Sequence, residues 1–126
     1  MIFHLIDADT AIFATTGQFP ALRNRFAECP SGTLGLSAIS YAEIVLGMAN
    51  GRPPTPEALA AFVEIVPVQP FDVDAALAYA QMPFKRARFD RLLAAHAVSI
   101  GATVVTNNEA DFADVPGLKV ENWTEA

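Results

Sequence analysis

The sequence predicts an α/β fold in which a mostly parallel sheet is covered by helices on both faces. Short apolar runs alternate with segments of helical periodicity, which is the pattern of strand–helix–strand units. The runs Ile2–Ile6 and Thr103–Thr106 are largely apolar rather than alternating, as expected of strands buried on both sides. Turn clusters fall between these segments and not inside them.

The elements follow in order. Ile2–Ile6 is an apolar run that stops at Asp7 and reads as the first strand. Ala8–Thr16 and Phe19–Ala27 are expected to be helices, followed by the turn Cys29-Pro30-Ser31-Gly32. Thr33–Ser37 reads as the second strand. Ser40-Tyr41-Ala42-Glu43 has the form of a capping box and is expected to open a helix through about Ala49. Asn50-Gly51-Arg52-Pro53-Pro54 is a loop, and Pro56–Glu64 has a helical pattern. Ile65–Val68 fits only an edge strand, because Pro67 cannot donate to a ladder. Asp72–Gln81 and Arg88–Ile100 are expected helices, the second ending at Gly101. Thr103–Thr106 and Leu118–Val120 complete the set of strands.

The 126 residues suit one domain over 1–126, and the apolar half of the composition suffices for a sizeable core. Apolar stretches break well before the ~20 residues of a membrane span, so no membrane association is expected. The opening Met1-Ile2-Phe3-His4-Leu5-Ile6-Asp7 lacks a basic leader, which argues against a secretory signal. Cys29 stands alone, so no internal disulfide forms and a cytoplasmic setting is expected. The net charge is −6, which excludes a nucleic-acid binder that works by general phosphate neutralisation. Basic residues concentrate in Lys85, Arg86, Arg88 and Arg91, with Arg23 and Arg25 as a smaller group. Such a run is either a solvated helix face or a local contact for phosphates.

The acids gather where strands end. Asp7 and Asp9 follow the first strand, and Glu43 lies in the first turn of the helix after the second. Asp90 opens the helix before Thr103–Thr106, and Asn107, Asn108, Glu109 and Asp111 follow that strand. Ligands of parallel sheets bind beyond the carboxyl ends of strands, at the point where strand order reverses. With the first and fourth strands as neighbours, Asp7, Glu43, Asp90 and Asp111 would share one pocket. Converging carboxylates repel, and a hard divalent cation offsets that repulsion. Oxygen-only ligands favour Mg²⁺ or Mn²⁺ over Zn²⁺. Such a site activates water and stabilises charge on a phosphodiester in flight.

Each acid also has a plainer role. Asp7 and Asp9 can cap a helix, Glu43 can partner Ser40, Asp90 can pair with Arg86, and Asp111 can favour a short helix start. His96, on the Leu92/Leu93/Ala97/Ile100 face, and His4, within a strand, read as core or satisfied histidines. Trp123 is expected to close the edge of the core. Ser37 and Ser40 have no nucleophile-elbow context, and no phosphate-binding loop is present.

The segment Asp90-Arg91-Leu92-Leu93-Ala94-Ala95-His96-Ala97 with Gly101-Ala102-Thr103-Val104-Val105-Thr106-Asn107-Asn108 resembles VapC toxins, which are PIN-domain ribonucleases. So do Asp111-Phe112 and Val115-Pro116-Gly117-Leu118-Lys119-Val120-Glu121-Asn122-Trp123. Leu5-Ile6-Asp7 matches the strand-plus-Asp opening of that family, and Ser37–Glu43 resembles the segment bearing its second acid. The resemblance covers nearly the whole chain and is weaker from Asn50 to Arg88. It implies a PIN-like three-layer α/β/α sandwich, Mg²⁺-dependent cleavage of an RNA substrate, a VapB-like antitoxin partner and a homodimer. Asp7 and Asp90 would be the principal metal ligands, Glu43 would hold the metal or its waters, and Asp111 would be the fourth acid, with Asn108 supplementing it. Lys85, Arg86 and Arg88 would guide RNA phosphates, and Phe13 and Phe19 would either anchor the antitoxin or belong to the core.

The family usually reads Asp-Thr-Asn or Asp-Ser-Asn at its opening, whereas this chain has Asp7-Ala8-Asp9. The change bears on metal affinity and substrate choice. A degenerate PIN domain that binds without cutting is the main alternative. Asp7-Ala8-Asp9-Thr10 also invites a haloacid-dehalogenase-type phosphatase reading, although its Thr is one residue early and no later Lys motif supports it. A phosphoacceptor receiver domain would need a mid-chain strand-end Asp, and none occurs between Asp9 and Asp72.

Overall fold

Strand and helix alternate along nearly the whole chain in a computed structural model that describes residues 1–83 and 88–125, with the side chain of Arg88 also outside the described set. The elements are β1 (His4–Ile6), α1 (Ala8–Thr16), α2 (Pro20–Glu28), β2 (Leu34–Ser37), α3 (Ala38–Ala49), α4 (Pro56–Ile65), β3 (Val68–Gln69), α5 (Val73–Tyr79), α6 (Arg88–Ile100), β4 (Thr103–Val105) and β5 (Val120–Glu121). A short 3-10 helix, Glu109–Phe112, lies between the last two strands. The sheet order is β3-β2-β1-β4-β5, and every pairing is parallel. The expected adjacency of the first and fourth strands is therefore present. The expected edge strand over Ile65–Val68 is displaced: Ile65 ends α4, Val66 caps it, and the edge strand β3 begins only after Pro67, at Val68.

Register divides the sheet's side chains between two layers. Leu5, Gly35 and Val104 are cross-strand partners, as are Ile6, Leu36 and, on the other side, Val105. The period-2 alternation sends Leu5 and Val104 to a core with Leu93, Ala94, Ala97, Phe112 and Val115, which is built largely on α6. It sends Ile6, Leu36 and Val105 to the opposite core with Ala11, Leu22, Ile44, Leu59, Phe62 and Trp123. The second core draws on α1 to α4. The result is the expected α/β/α sandwich. Gly35 is required by close approach, since a Cβ there would lie 2.7 Å from Gln69 Cγ and 3.1 Å from Ile2 Cγ2.

Trp123 closes the edge of its layer as expected. It is buried, its indole nitrogen donates to Glu121 Oε1 at 2.8 Å, and the Arg25 guanidinium sits 4.8 Å from its ring centroid. His4 packs against the same ring at a centroid distance of 4.9 Å. Phe13 and Phe19 meet edge-on at 4.9 Å and are half-buried against the core, so the core role accounts for both.

One helix start differs from expectation. The capping box at Ser40 does not form: α3 begins three residues earlier than a Ser40 cap would start it, and Ser37 Oγ accepts from Ile39 N at 3.1 Å. Ser40 is instead a fully buried residue within the helix, and its hydroxyl has no protein partner. The strand leads directly into the helix, so the residue ending the strand is the one placed to cap it. Glu43 accordingly sits in the second turn, free of any capping duty. His96 is buried, as expected, with its Nδ1 2.8 Å from Ser37 Oγ. Burial lowers its pKa, and the ring is neutral.

Ser37 thus serves both a helix cap and a buried imidazole. Ser37→Ala removes the cap, worth ~1 kcal/mol, and leaves a buried nitrogen unpaired at a further ~1–3 kcal/mol. The expected loss is about 2–4 kcal/mol, seen in urea unfolding as a lower midpoint at unchanged slope.

Candidate active site

The chain leaves β1 for β2 on one side and later crosses to β4 on the other, so strand order reverses between β1 and β4. In parallel sheets it is at such a point, beyond the carboxyl ends of the two flanking strands, that ligands bind. Asp7 stands at the end of β1. Its backbone nitrogen continues the ladder by donating to Val105 O at 3.0 Å, and its side chain then turns to cap α1, accepting from Thr10 N at 2.8 Å. The plain capping role is real, and it also fixes the carboxylate at the switch point. Asp7 is only 9% exposed. Burial pushes its carboxyl above the usual range, donors from Thr106 and Thr10 pull the other way, and nearby Asp9 adds repulsion.

Three further acids approach from other elements. Glu43 on α3 is raised to about 7, first by burial and then by the charges of Asp90, Asp7 and Asp9. Asp90, in the first turn of α6, is raised by burial and by Asp111, with Arg91 opposing and Asp9 adding to the shift. Asp111 lies on the 3-10 helix after β4 with its side chain exposed. Glu43 feels the charges of Asp90, Asp7 and Asp9, and Asp90 feels those of Asp111 and Asp9, so the acids are linked pairwise across β1, α3, α6 and the 3-10 helix. Asp9, exposed on α1, belongs to the same field. Asn108 is exposed at the start of the 3-10 helix, and its amide donates to Thr106 Oγ1 at 3.0 Å.

Arg91 does not belong to the basic run. It is 1% exposed, donates from Nη1 to Asp114 Oδ1 at 2.9 Å, and donates from Nη2 to the carbonyl of Asp111. This buried guanidinium fastens the helix bearing Asp90 to the turn bearing Asp111. The sequence carried the signal, because Arg91 lies three and four residues before Ala94 and Ala95 on the buried face of α6. Lys85 and Arg86, the side chain of Arg88, and a pairing of Asp90 with Arg86 lie outside the described residues.

Among the described residues, no group of three or more His, Cys, Asp or Glu side chains closes into a ready-made metal cage. The donors are nonetheless all hard oxygens, partly desolvated and mutually repelling. Mg²⁺ dehydrates reluctantly, keeps several waters and is held through one or two carboxylates. An open acidic crevice fits a hydrated hard cation of that kind better than a closed cage does.

Residues 7–118 match the PIN domain family, a span that includes all four acids. The chain belongs to the PIN domain family. It is 28% identical to the tRNA(fMet)-specific endonuclease VapC of Salmonella typhimurium, over 98% of this chain and 99% of that protein. It is 29% identical to the protein of the same description from Shigella flexneri, over 98% and 100% of the two chains. Among solved structures it resembles DNA-bound VapBC from Salmonella typhimurium, with a TM-score of 0.81 and 28% identity over 98% and 99% of the chains. The VapC resemblance read from the sequence stands, and this PIN domain is a nuclease of the VapC type. Nucleases of this type depend on a divalent metal. The phosphatase and receiver readings fall away with that membership.

The raised Glu43 makes a stability prediction for the metal-free PIN domain. Its carboxyl titrates near 7 when folded and near 4.5 when unfolded. The folded state therefore holds a proton that the unfolded state releases between those values. The contribution is fully present below the unfolded value and is lost as pH rises through the folded one. Glu43→Gln, which stays neutral, is expected to lose less stability than wild type between pH 5 and pH 8. Urea midpoints in EDTA across that range check this, and parallel curves for the two proteins count against it.

Proposed function

We propose that this PIN domain is the toxin of a VapBC-type pair, an endoribonuclease that cuts RNA at the acid crevice. The supporting observation is that Asp7, Glu43 and Asp90, on separate elements near the β1/β4 switch point, are partly desolvated and repelled by neighbouring acids, with the exposed Asp111 adding its charge to Asp90. Asp7 and Asp90 would hold Mg²⁺, or Mn²⁺ in its place. Glu43 would orient the water that attacks phosphorus, and Asp111, supplemented by Asn108, would complete the carboxylate field. A bound divalent cation supplies a more acidic water and offsets charge on the phosphodiester. The capping bond from Thr10 holds Asp7 still, and the Arg91 bridge sets Asp111 relative to Asp90.

The substrate reading follows the relatives described as tRNA(fMet)-specific, and the proposed target is a structured RNA of the transfer-RNA class. The regulatory partner would be a VapB-like antitoxin, with an arginine inserted among the carboxylates as a charge-assisted substitute for the metal. The toxin would act as a homodimer in the cytoplasm; no described helix is long and apolar enough to cross a membrane. The degenerate alternative rests on Ala8 and Asp9, which replace the hydroxyl and amide usual in the family.

Purified toxin, free of partner, is expected to cleave transfer RNA in Mg²⁺ and to stop in EDTA or on adding a cognate antitoxin. Asp7→Asn and Asp90→Asn are expected to lower cleavage by at least ~100-fold, within the range typical of lost electrostatic stabilisation, with the fold intact by circular dichroism. Cleavage that persists in EDTA sinks the metal mechanism, and RNA binding without any cleavage favours the degenerate reading.

Lys85, Arg86 and Arg88 are proposed to guide RNA phosphates toward Asp90. Neutralising all three should weaken binding and flatten the dependence of log K on log salt by up to ~3 units of slope. An unchanged slope assigns the run to a solvated face.

A further inference from the structure

A hollow of about 280 Å³ lies beside the acid crevice, lined by Glu43, Leu46, Gly47, Asn50, Arg52 and Phe89. We propose that this hollow receives one unstacked nucleobase of the RNA strand, with Phe89 as the stacking platform and Arg52 as a contact for the adjoining phosphate. The inference rests on the ribonuclease reading above and adds the place where substrate is read.

Four observations support it. First, the hollow is continuous with the acids. Glu43 forms part of its wall, and Phe89 immediately precedes Asp90 at the start of α6. A nucleotide seated there brings its own phosphate to the carboxylates. Second, Phe89 is 46% exposed and Leu46 is 59% exposed, so an aromatic and an aliphatic face stand open beside a polar rim. Asn50, whose amide nitrogen is held by Leu46 O at 2.9 Å, keeps its carbonyl oxygen as an acceptor for a base edge.

Third, Gly47 occupies a place in α3 where alanine would favour the helix. An added Cβ would meet nothing closer than Arg52 Cβ at 3.7 Å and Cδ at 3.8 Å, both ordinary contacts. Packing therefore does not require glycine; its absent side chain leaves the hollow open. Fourth, a chain with net charge −6 cannot gain RNA affinity from overall charge. Stacking on an aromatic is independent of the field and tolerant of acids nearby.

The test is a coupling measurement on an RNA oligonucleotide cut by the wild type, with single abasic sites placed in turn at each nucleotide around the cut. Binding is measured in Asp7→Asn protein so that the RNA survives. One abasic position is expected to weaken binding by roughly 5- to 150-fold, the range for one stacked base. Phe89→Ala should weaken intact RNA by a similar factor and erase the penalty at that position alone, while Phe89→Trp should restore it. Gly47→Leu, which fills the hollow and favours the helix, should raise KM without lowering the unfolding midpoint. Equal abasic penalties in Phe89→Ala and its parent overturn the proposal while leaving ribonuclease activity standing. A wild type that neither binds nor cuts RNA overturns both. Variants that shift the monomer–dimer balance without touching the abasic penalty assign the hollow to a second copy of the chain, and that also overturns it.

Discussion

The repulsion among carboxylates at the β1/β4 switch point is the constraint to which the rest of this fold answers. Asp7 ends a central strand and is nearly inaccessible, so its charge is desolvated before any neighbour is counted. Asp90, Glu43 and Asp9 then add like charge from α6, α3 and α1. A fold selected for stability alone would place apolar groups there, because buried like charges only subtract from it. The surroundings limit the penalty without removing it. Thr10 and Thr106 donate to Asp7, and Arg91 lowers the burden on Asp90 while its hydrogen bonds go to the turn beyond.

That division explains the unusual position of Arg91. A guanidinium pointing into the crevice would neutralise the acids and compete with a metal. Buried behind them, it binds a backbone carbonyl and Asp114, so its two Nη groups hold two acid-bearing segments together. The crevice stays negative while its walls stay fixed. The two cores give the same result on a larger scale. The α6 layer positions Asp90, the α1–α4 layer positions Asp7 and Glu43, and the parallel sheet between them sets the distance from one layer to the other.

Much of this was legible in the sequence because it depends on local rules. Apolar runs ending in acids gave the strands, and Ala8–Thr16 and Arg88–Ile100 match the observed helices residue for residue. The edge position read from Pro67 holds, although the strand itself begins after it, at Val68. The acids were singled out because strand ends are identifiable from pattern alone. What failed was also local in origin. Ser40 and Glu43 satisfy the spacing of a capping box, yet Ser37 takes the cap because the strand runs into the helix without a loop. Arg91 was grouped with its basic neighbours because composition does not tell a buried guanidinium from a solvated one; only the helical phase with Ala94 and Ala95 does. The hollow beside Glu43 joins α3, the loop after it and α6, and no sequence period connects those three.

An acidic protein that acts on a polyanion faces an apparent contradiction, and the geometry resolves it by separating tasks in space. Long-range attraction is unavailable to a chain of net charge −6, since counterion release scales with the phosphates a protein neutralises. Among the acids themselves, attraction for phosphate would come with a divalent cation, because the carboxylates alone repel it. Binding and chemistry would then be coupled: a cation held by Asp7 and Asp90 would supply the positive charge that the backbone requires at the carboxylates. Contacts that do not depend on charge, such as an exposed aromatic beside a small hollow, can retain a strand under either condition. An arginine from a partner would satisfy the same field without supplying an activated water. On the proposed reading, one arrangement of acids would make the site dependent on metal for cutting and open to inhibition by a single cationic side chain.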